Sequence, residues 1–367
     1  MTSEPRLPFY VKSTFLLLGL VLVTGILYYG AEVFVPLAYA ALLSVLLYPM
    51  SYRLERIRIP RILAITLTLT VALILVATVI GFIVWQAGQF SQDLPVLKER
   101  VFEYARELKV FLKENFGITY QKQLQWLRLT TSRVFENGGV LVSHTLLAFT
   151  KISYIMVLVP IYTFLFLLYR PLLVEFFFQL SSRGHIQQVK AVLDEIKRVV
   201  KNYLLGLMIE TVIVAVLNVG VLLYLGIDYA VLLGVTAAIL NLIPYVGIFI
   251  GSVFPTVIAF VTEESLWAPV SVVIAFAVIQ FLDNNIIVPK IVGSYVRINS
   301  IATIIAVIVG GLLWGISGMF LFIPLVAILK VIFDRVESLK PWGMLLGDGV
   351  PKEARIKKPR AAASKAA

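Results

Sequence analysis

The sequence predicts an all-α polytopic membrane protein, with broken or re-entrant helical hairpins and amphipathic interfacial helices. The chain has 367 residues, of which 60% are hydrophobic and only 14% are charged. Soluble domains carry about 25% charged residues. The mean hydropathy is +0.93, and long apolar stretches dominate the chain, which is typical of membrane-spanning helices. The sequence has no cysteine, so disulfides, zinc–thiolate sites, iron–sulfur clusters and thiol nucleophiles are excluded.

Polarity divides the chain into parts. We expect N-terminal membrane helices in 1–85, an extracytoplasmic amphipathic insertion in 86–151, a membrane transport core in 152–334 and a basic cytoplasmic tail in 335–367. The formal net charge of +11 lies in short loops and in this tail. Such a distribution is explained by the positive-inside rule, and it does not require a nucleic-acid partner.

The first part contains three apolar segments. The first covers about 14–29, and the second covers about 33–48 and is followed by Pro49. The loop from Arg53 to Arg61 has four arginines and one acid, so we expect it, and therefore the N-terminus, to be cytoplasmic. The third segment, about 62–85, leads outward.

The insertion has an amphipathic pattern. Leu97, Val101, Ala105, Leu108 and Leu112 lie on one helical face, and charges of both signs fill the other. Long loops largely escape the charge rule, so we place the insertion outside the cytoplasm. There it would lie at the interface, cap the protein or pack against a neighbouring subunit.

The transport core begins with segment four, about 152–169, in which Pro160 favours a kink. The pattern near 185–201 predicts an amphipathic helix, and its lysines and arginine favour a cytoplasmic position. Segment five covers about 203–225, and segment six covers about 267–282.

The apolar stretch 230–261 cannot be one straight helix. It contains breaks at Asn241, Pro244, Gly247, Gly251 and Pro255. Each half is shorter than the roughly 20 residues that a full span needs, so we expect two short crossings or a re-entrant hairpin. Irregular backbone at membrane depth is tolerated only where it is buried in protein or lines a cavity. Interrupted segments of this kind indicate a transport site.

A second interruption follows segment six and includes Pro289. A final apolar pair then covers about 300–313 and 316–332, and glycines separate its two halves. This pair could also form a short hairpin. Gly247 with Gly251, and Gly311 with Gly315, have the spacing that permits close helix contact.

Polar residues within apolar segments are candidates for the transport pathway. Glu210 and Asn218 lie in segment five, near the same helical stripe. Gln280, Asp283 and Asn284 share one helical face at spacings of three and four residues. They could bind a polyhydroxylated solute, a cation or backbone groups freed by Pro289. The alternatives are a hydrogen-bonded helix contact for Glu210 and a helix cap for the second group. Glu32, Asp228 and Lys330 lie near segment ends and are expected to reach water.

The sequence has no signature of a catalytic site. A nucleophile elbow, an HExxH motif and a phosphate-binding loop are all missing, so an enzyme is disfavoured. The two histidines, His144 and His185, are far apart and have no metal-ligand spacing. We therefore expect no cofactor and no metal. The expected partners are a small polar solute, or a monovalent cation or proton, together with the lipid bilayer and further copies of the chain.

Several motifs resemble the autoinducer-2 exporter family of bacterial membrane transporters. The matching segments are Tyr203–Gly206, Leu225–Ile227, Asn241–Gly247, Asp283–Pro289 and the glycine-rich ending from Gly310 to Pro324. The resemblance implies about eight membrane helices, including broken or re-entrant helical hairpins. It also implies cytoplasmic termini, a bacterial inner-membrane location and an oligomer, a pentamer, that exports a furanosyl borate diester or its precursor.

Many members of this family have Arg-Asp-Gly after segment four, where this chain has Arg170, Pro171 and Leu172. This departure puts any shared role of that turn in doubt here. Together with the resemblance, the sequence favours a secondary transporter that exports a small polar solute such as autoinducer-2. It contains no nucleotide-binding motif, so the energy would come from an ion gradient or from the gradient of the solute itself. One alternative is a sodium/proton antiporter in which Asp283 and Glu210 titrate. The other is a membrane scaffold that does not transport.

Overall fold

The computed structural model describes the residues 8–86, 88, 154–181, 186–243, 246–263, 265, 267–291 and 298–347. The insertion expected in 86–151, apart from residues 86 and 88, and the tail beyond 347 lie outside these ranges. The described residues form the helices α1 (Phe9–Tyr29), α2 (Ala31–Arg56), α3 (Arg61–Gln86), α4 (Tyr154–Leu168), α5 (Arg170–Leu180), α6 (Ile186–Tyr224), α7 (Ala230–Leu240), α8 (Val246–Thr262), α9 (Trp267–Ile291), α10 (Ser300–Arg335) and α11 (Lys340–Leu346).

The predicted all-α membrane fold is confirmed. Six of the described helices are long and apolar enough to cross a membrane, or seven if α4 and α5, which are bent by 64° at their junction, form one span. The two helices α7 and α8 are shorter and apolar, as the interrupted sequence predicts. Large apolar side chains along α1 are more than half exposed, which suits a helix that faces lipid.

Two helix boundaries differ from the sequence-based expectation. Helix α2 continues through Pro36 and Pro49 to Arg56 instead of ending near Tyr48. The amphipathic stretch near 185–201 and segment five form one continuous helix, α6, of 39 residues. Proline is tolerated inside membrane helices because neighbouring groups satisfy the freed backbone carbonyl. The amphipathic pattern ends near residue 201, but the helix does not end there, and α6 continues into segment five without a break.

The residues form two compact units. One consists of Met1–Ala31, Pro171–Gly206 and Pro289–Ala367, and the other of Glu32–Arg170 and Leu207–Val288. We call these the terminal unit and the central unit, respectively, and we describe each by itself.

The core of the central unit joins the end of α6 to α7, α8 and α9. Its buried members are Leu222, Ile227, Ala230, Leu233, Ala237, Ile258, Ala259, Val261, Val272 and Phe276. A turn with Gly226 at φ 74° and Tyr229 at φ 57° leads from α6 into α7. In the same unit, Arg170 lies over the ring of Tyr48 at 3.9 Å, a cation–π contact.

The terminal unit contains a helical reversal within α10. Trp314 and Gly315 leave helical geometry, and Gly315 has φ 60° and ψ −142°. A Cβ placed on Gly310 would lie 2.3 Å from the carbonyl oxygen of Gly318. Residues eight apart in a straight helix are separated by about 12 Å, so the chain turns back on itself here. This reversal is the short hairpin that the sequence analysis considered for 300–332. At the reversal, the indole of Trp314 donates a hydrogen bond to the carbonyl oxygen of Leu27 in α1 at 2.9 Å.

Candidate functional site

The break between α7 and α8 brings two backbone segments into close contact. A Cβ on Gly247 would lie 2.0 Å from the carbonyl oxygen of Leu240 and 2.5 Å from the Cα of Asn241. Gly251, one turn later, packs against Ala237, with a hypothetical Cβ 3.2 Å from the Cα of that residue. The predicted close contact of these two glycines is therefore made within the hairpin. Only a residue without a side chain fits at position 247.

Helix α8 contains a further irregularity at Pro255, whose side chain is fully buried. Proline has no N–H, so it cannot donate to the carbonyl of Gly251 four residues earlier. The contact of Gly251 with Ala237 and the missing donor at Pro255 therefore fall on the same turn. Pro244, which the sequence analysis also placed in this break, lies outside the described residues.

Helix α9 does not stop at the second interruption. It passes through a π-helical turn, Asp283–Ile287, in which the N–H of Val288 bonds to the carbonyl of Asp283. It then continues through Pro289 to Ile291. A π-helical turn shifts the hydrogen-bond pattern by one residue, which accommodates a proline just beyond it, and such turns are frequent at functional sites.

The π-helical turn begins at Asp283, whose side chain is 2% exposed. Its Oδ2 accepts a hydrogen bond from Nδ2 of Asn241 at 3.0 Å and a longer one from Nε2 of Gln280 at 3.5 Å. Gln280 Nε2 also lies 3.3 Å from Oδ1 of Asn284, whose side chain is exposed. The structure thus joins the broken hairpin to the polar face of α9 through one carboxyl group.

Helix α6 contributes two further buried polar groups to the central unit. Glu210 is 6% exposed and Asn218 is 3% exposed. The carboxyl groups of Glu210 and Asp283 are close enough to interact electrostatically. Within the described residues, neither of the two forms an ion pair with a basic side chain.

A small cavity lies where these helices meet. It has a volume of about 20 Å³, and its polar lining comes from Asn218, Asn241 and Gln280. Gly247 and Gly251 line it as well, with Phe276 among the apolar residues. Two buried acceptors, Oδ1 of Asn218 and Oδ1 of Asp283, have no hydrogen-bond partner among the described residues. A buried acceptor without a donor is costly, so this arrangement favours a bound group that can donate hydrogen bonds.

The predicted site residues are only partly brought together. Asn218, Asn241, Gly247, Gly251 and Gln280 share the cavity. Asp283 contacts two of them, and Glu210 interacts with Asp283. Pro255, Asn284 and Pro289 do not line it, and Pro289 is exposed.

Sequence reasoning did not select Thr236. Its hydroxyl in α7 is buried, and it has no hydrogen-bond partner in the part of the chain that the structure describes. A threonine inside a helix usually bonds to the carbonyl four residues earlier, so its presence in the sequence gave no signal.

The site does not resemble a metal centre. Within the described ranges, no three side chains from His, Cys, Asp or Glu come together in a way that could hold a metal ion. Amide and carboxyl groups around a discontinuous helix at membrane depth are instead typical of the binding sites of secondary transporters. Fold and site therefore define a polytopic membrane transporter.

Comparison with known proteins gives the family. The model of the family described as "AI-2E family transporter" matches residues 17–338, and the chain belongs to this family. A "Putative transport protein" of Haemophilus influenzae is 26% identical over 326 residues, covering 87% of this chain and 91% of that one. The "AI-2 transport protein TqsA" of Escherichia coli is 22% identical over 321 residues, with the same two shares. The resemblance inferred from the sequence motifs is thus confirmed.

Proposed function

We propose that this transporter exports a small polar solute such as autoinducer-2. The observation that carries the proposal is the hydrogen bond between Asn241, at the break of the α7–α8 hairpin, and the buried Asp283. Amide and carboxyl groups at membrane depth can bind the hydroxyls of a sugar-like solute. The name of the relative from Escherichia coli, an AI-2 transport protein, supports the choice of solute.

The unpaired acceptors support a donor-rich solute. Oδ1 of Asn218 and Oδ1 of Asp283 each lack a donor among the described residues. A polyol carries several O–H groups and could satisfy both oxygens. An anion without donors could satisfy neither oxygen.

The size of the cavity implies movement during transport. A volume of about 20 Å³ accommodates roughly one water molecule, so a furanose ring does not fit. Binding would require the hairpin to move away from α9, with the break at Asn241 as the hinge. In this scheme the Asn241–Asp283 hydrogen bond holds the closed form.

Transport by purified protein in liposomes tests the proposal. Labelled autoinducer-2, and ribose as a neutral polyol, should leave loaded vesicles faster than from liposomes without protein. Asn218→Ala removes one unpaired acceptor and should slow this flux by roughly tenfold. Asn285→Ala is the matched control, since that side chain is exposed and, among the described residues, bonds only to the carbonyl of Phe281. Absence of flux of either solute under every imposed gradient would contradict the proposal.

A second candidate function is sodium/proton antiport. Two buried carboxyl groups, Glu210 and Asp283, interact without a basic partner among the described residues, as a proton or cation site requires. A sodium pulse alone should then drive proton movement in vesicles. If Glu210→Gln and Asp283→Asn both leave this proton movement intact, the antiporter assignment is wrong.

We also propose a bacterial inner-membrane location with both termini in the cytoplasm. Four arginines cluster at the junction of α2 and α3: Arg53 and Arg56 in the last turn of α2, Arg58 in the loop and Arg61 at the start of α3. The tail beyond α10 is also rich in lysine and arginine. Fusions of alkaline phosphatase and of green fluorescent protein to the C-terminus test this topology. Phosphatase activity together with a dark fluorescent fusion would reverse it.

A further inference from the structure

The terminal unit contains a second, larger cavity that the proposed transport function does not use. It lies between the N-terminal part of α6 and the end of α10, and it has a volume of about 360 Å³. Its apolar wall includes Val199, Ile298 and Ala327, which are buried. Its polar lining includes three basic and two acidic residues, namely Arg198, Lys330, Arg335, Glu195 and Asp334.

Two of the three basic groups are paired within their own helices. Arg198 contacts Glu195 at 2.5 Å, and Lys330 contacts Asp334 at 2.5 Å. The guanidinium of Arg335 has no hydrogen-bond partner among the described residues, while Nε2 of Gln188 donates to the main-chain carbonyl of Arg335. The lining therefore has one positive charge in excess, which lies on Arg335. A hydrogen bond from Gln188 joins the backbone of Arg335 to α6.

Lys330 adds unused donors to this cavity. Its side chain is only 15% exposed, although the sequence analysis expected it to reach water. An ammonium group has three donors, and within the described residues only Asp334 accepts from this one. A partly buried cation with unused donors favours an anionic partner.

Helix α11 holds the Lys330–Asp334 pair in place. A Cβ on Gly343 would lie 2.3 Å from Oδ1 of Asp334, so the backbone of α11 packs directly on the carboxylate. Asn299 fastens the end of α11, because its Nδ2 donates to the carbonyl oxygens of Leu345 at 2.6 Å and Gly347 at 3.1 Å. The carboxylate that pairs with Lys330 is therefore held by the backbone of α11.

We propose that this cavity binds a phosphate group, either in a lipid headgroup or in a soluble phosphate ester. Arg335 offers the planar fork that matches phosphate oxygens, and Lys330 adds a second positive charge. The apolar wall would contact the carbon-bound part of the ligand. The cavity lies where the apolar runs of α6 and α10 give way to charged residues, which is the depth of lipid headgroups. The proposal is independent of the exported solute.

Calorimetric titration of the delipidated full-length protein in maltoside micelles tests this site. The probes are inorganic phosphate in one arm and mixed micelles of dioleoylphosphatidylglycerol in the other. Saturable binding at a single site per chain is expected in at least one arm. Binding in the lipid arm alone identifies a headgroup, and comparable binding of free phosphate identifies a soluble ester as a sufficient ligand.

Variants of the lining residues test whether the phosphate group binds in this cavity. Arg335→Gln should weaken binding at least roughly tenfold, because it removes a charge-assisted hydrogen bond. Lys340→Gln is the matched control: this exposed lysine pairs with Glu337 and does not line the cavity, so binding should change less than about twofold. The double change Lys330→Gln with Asp334→Asn removes the pair without a net change of charge, and it should also weaken binding. Equal weakening by Arg335→Gln and Lys340→Gln, or no saturable binding in either arm, would overturn the proposal.

Discussion

Asn241 and Asp283 lie 42 residues apart in the sequence, yet Nδ2 of the first donates to Oδ2 of the second at 3.0 Å. Asn241 follows the last turn of α7, and Asp283 opens the π-helical turn of α9. Two irregular segments of the chain therefore meet through a direct polar contact. Irregular backbone in a membrane protein must be satisfied by protein, and this contact links the two irregularities.

The first prediction concerns that contact. Within the described part of the chain, Asn241→Ala leaves Oδ2 of Asp283 with only the long hydrogen bond from Gln280 at 3.5 Å. A buried acceptor that loses its donor costs about 1–3 kcal/mol, so the free energy of unfolding should fall by that amount. Thermal unfolding of the purified protein measures it, with Asn285→Ala as the control. Equal stability of the two variants would show that the contact is not maintained in the membrane.

The sequence predicted the break in 230–261 because proline and glycine interrupt an apolar run there. It could not predict that Asn241 contacts Asp283, because the pairing depends on how α7, α8 and α9 pack. The contact partners of the glycines could not be predicted from the sequence either. The spacing of Gly247 and Gly251 indicated close contact, but the structure was needed to identify Leu240 and Ala237 as the partners.

Prolines misled the sequence analysis about where helices end. The sequence places Pro49 after the end of a segment and Pro289 at an interruption, yet both lie inside helices in the structure. At Pro289 the preceding π-helical turn accommodates the missing donor. Local sequence does not reveal whether such compensation exists, because the compensating groups come from the surrounding fold.

The second prediction concerns Gly247. Alanine at this position would place a Cβ 2.0 Å from the carbonyl oxygen of Leu240, so α7 and α8 would have to separate. Overpacking typically costs about 1–3 kcal/mol, and contact with backbone leaves little room for relief. Gly220→Ala is the matched control, since nothing lies within 4 Å of a Cβ there. The unfolding midpoint should fall clearly for Gly247→Ala, and a midpoint as high as that of Gly220→Ala would contradict the hairpin geometry.

The third prediction separates stability from transport at Asp283. Asp283→Asn keeps the shape of the side chain and removes a buried charge that has no basic partner in the described part of the chain. Because burying such a charge is expensive, the variant should be as stable as the wild type or more stable. Solute flux from liposomes should nevertheless fall by roughly tenfold or more, since a charge-assisted hydrogen bond is lost.

The matched control for Asp283→Asn is Asp228→Asn, because Asp228 lies exposed in the turn between α6 and α7. Its flux and its unfolding midpoint should both equal those of the wild type. If Asp283→Asn lowers stability and leaves flux unchanged, then Asp283 has a structural role only.

The fourth prediction concerns the reversal in α10. Gly315 has φ 60° and ψ −142°, a region of backbone conformation that is essentially restricted to glycine. No atom lies within 4 Å of a Cβ placed there, so the cost of Gly315→Ala arises from backbone strain alone. That cost should be about 1–3 kcal/mol in the free energy of unfolding.

Gly310→Ala tests the same reversal by another mechanism, because its Cβ would lie 2.3 Å from the carbonyl oxygen of Gly318. Gly19→Ala in α1 has open space around it and serves as the control. If α10 were a straight helix in the membrane, alanine at either position would raise helix propensity and stabilise the protein by about 1 kcal/mol. Loss of stability in both variants, measured by thermal unfolding against the control, is the expected result, because the hairpin requires glycine at both positions.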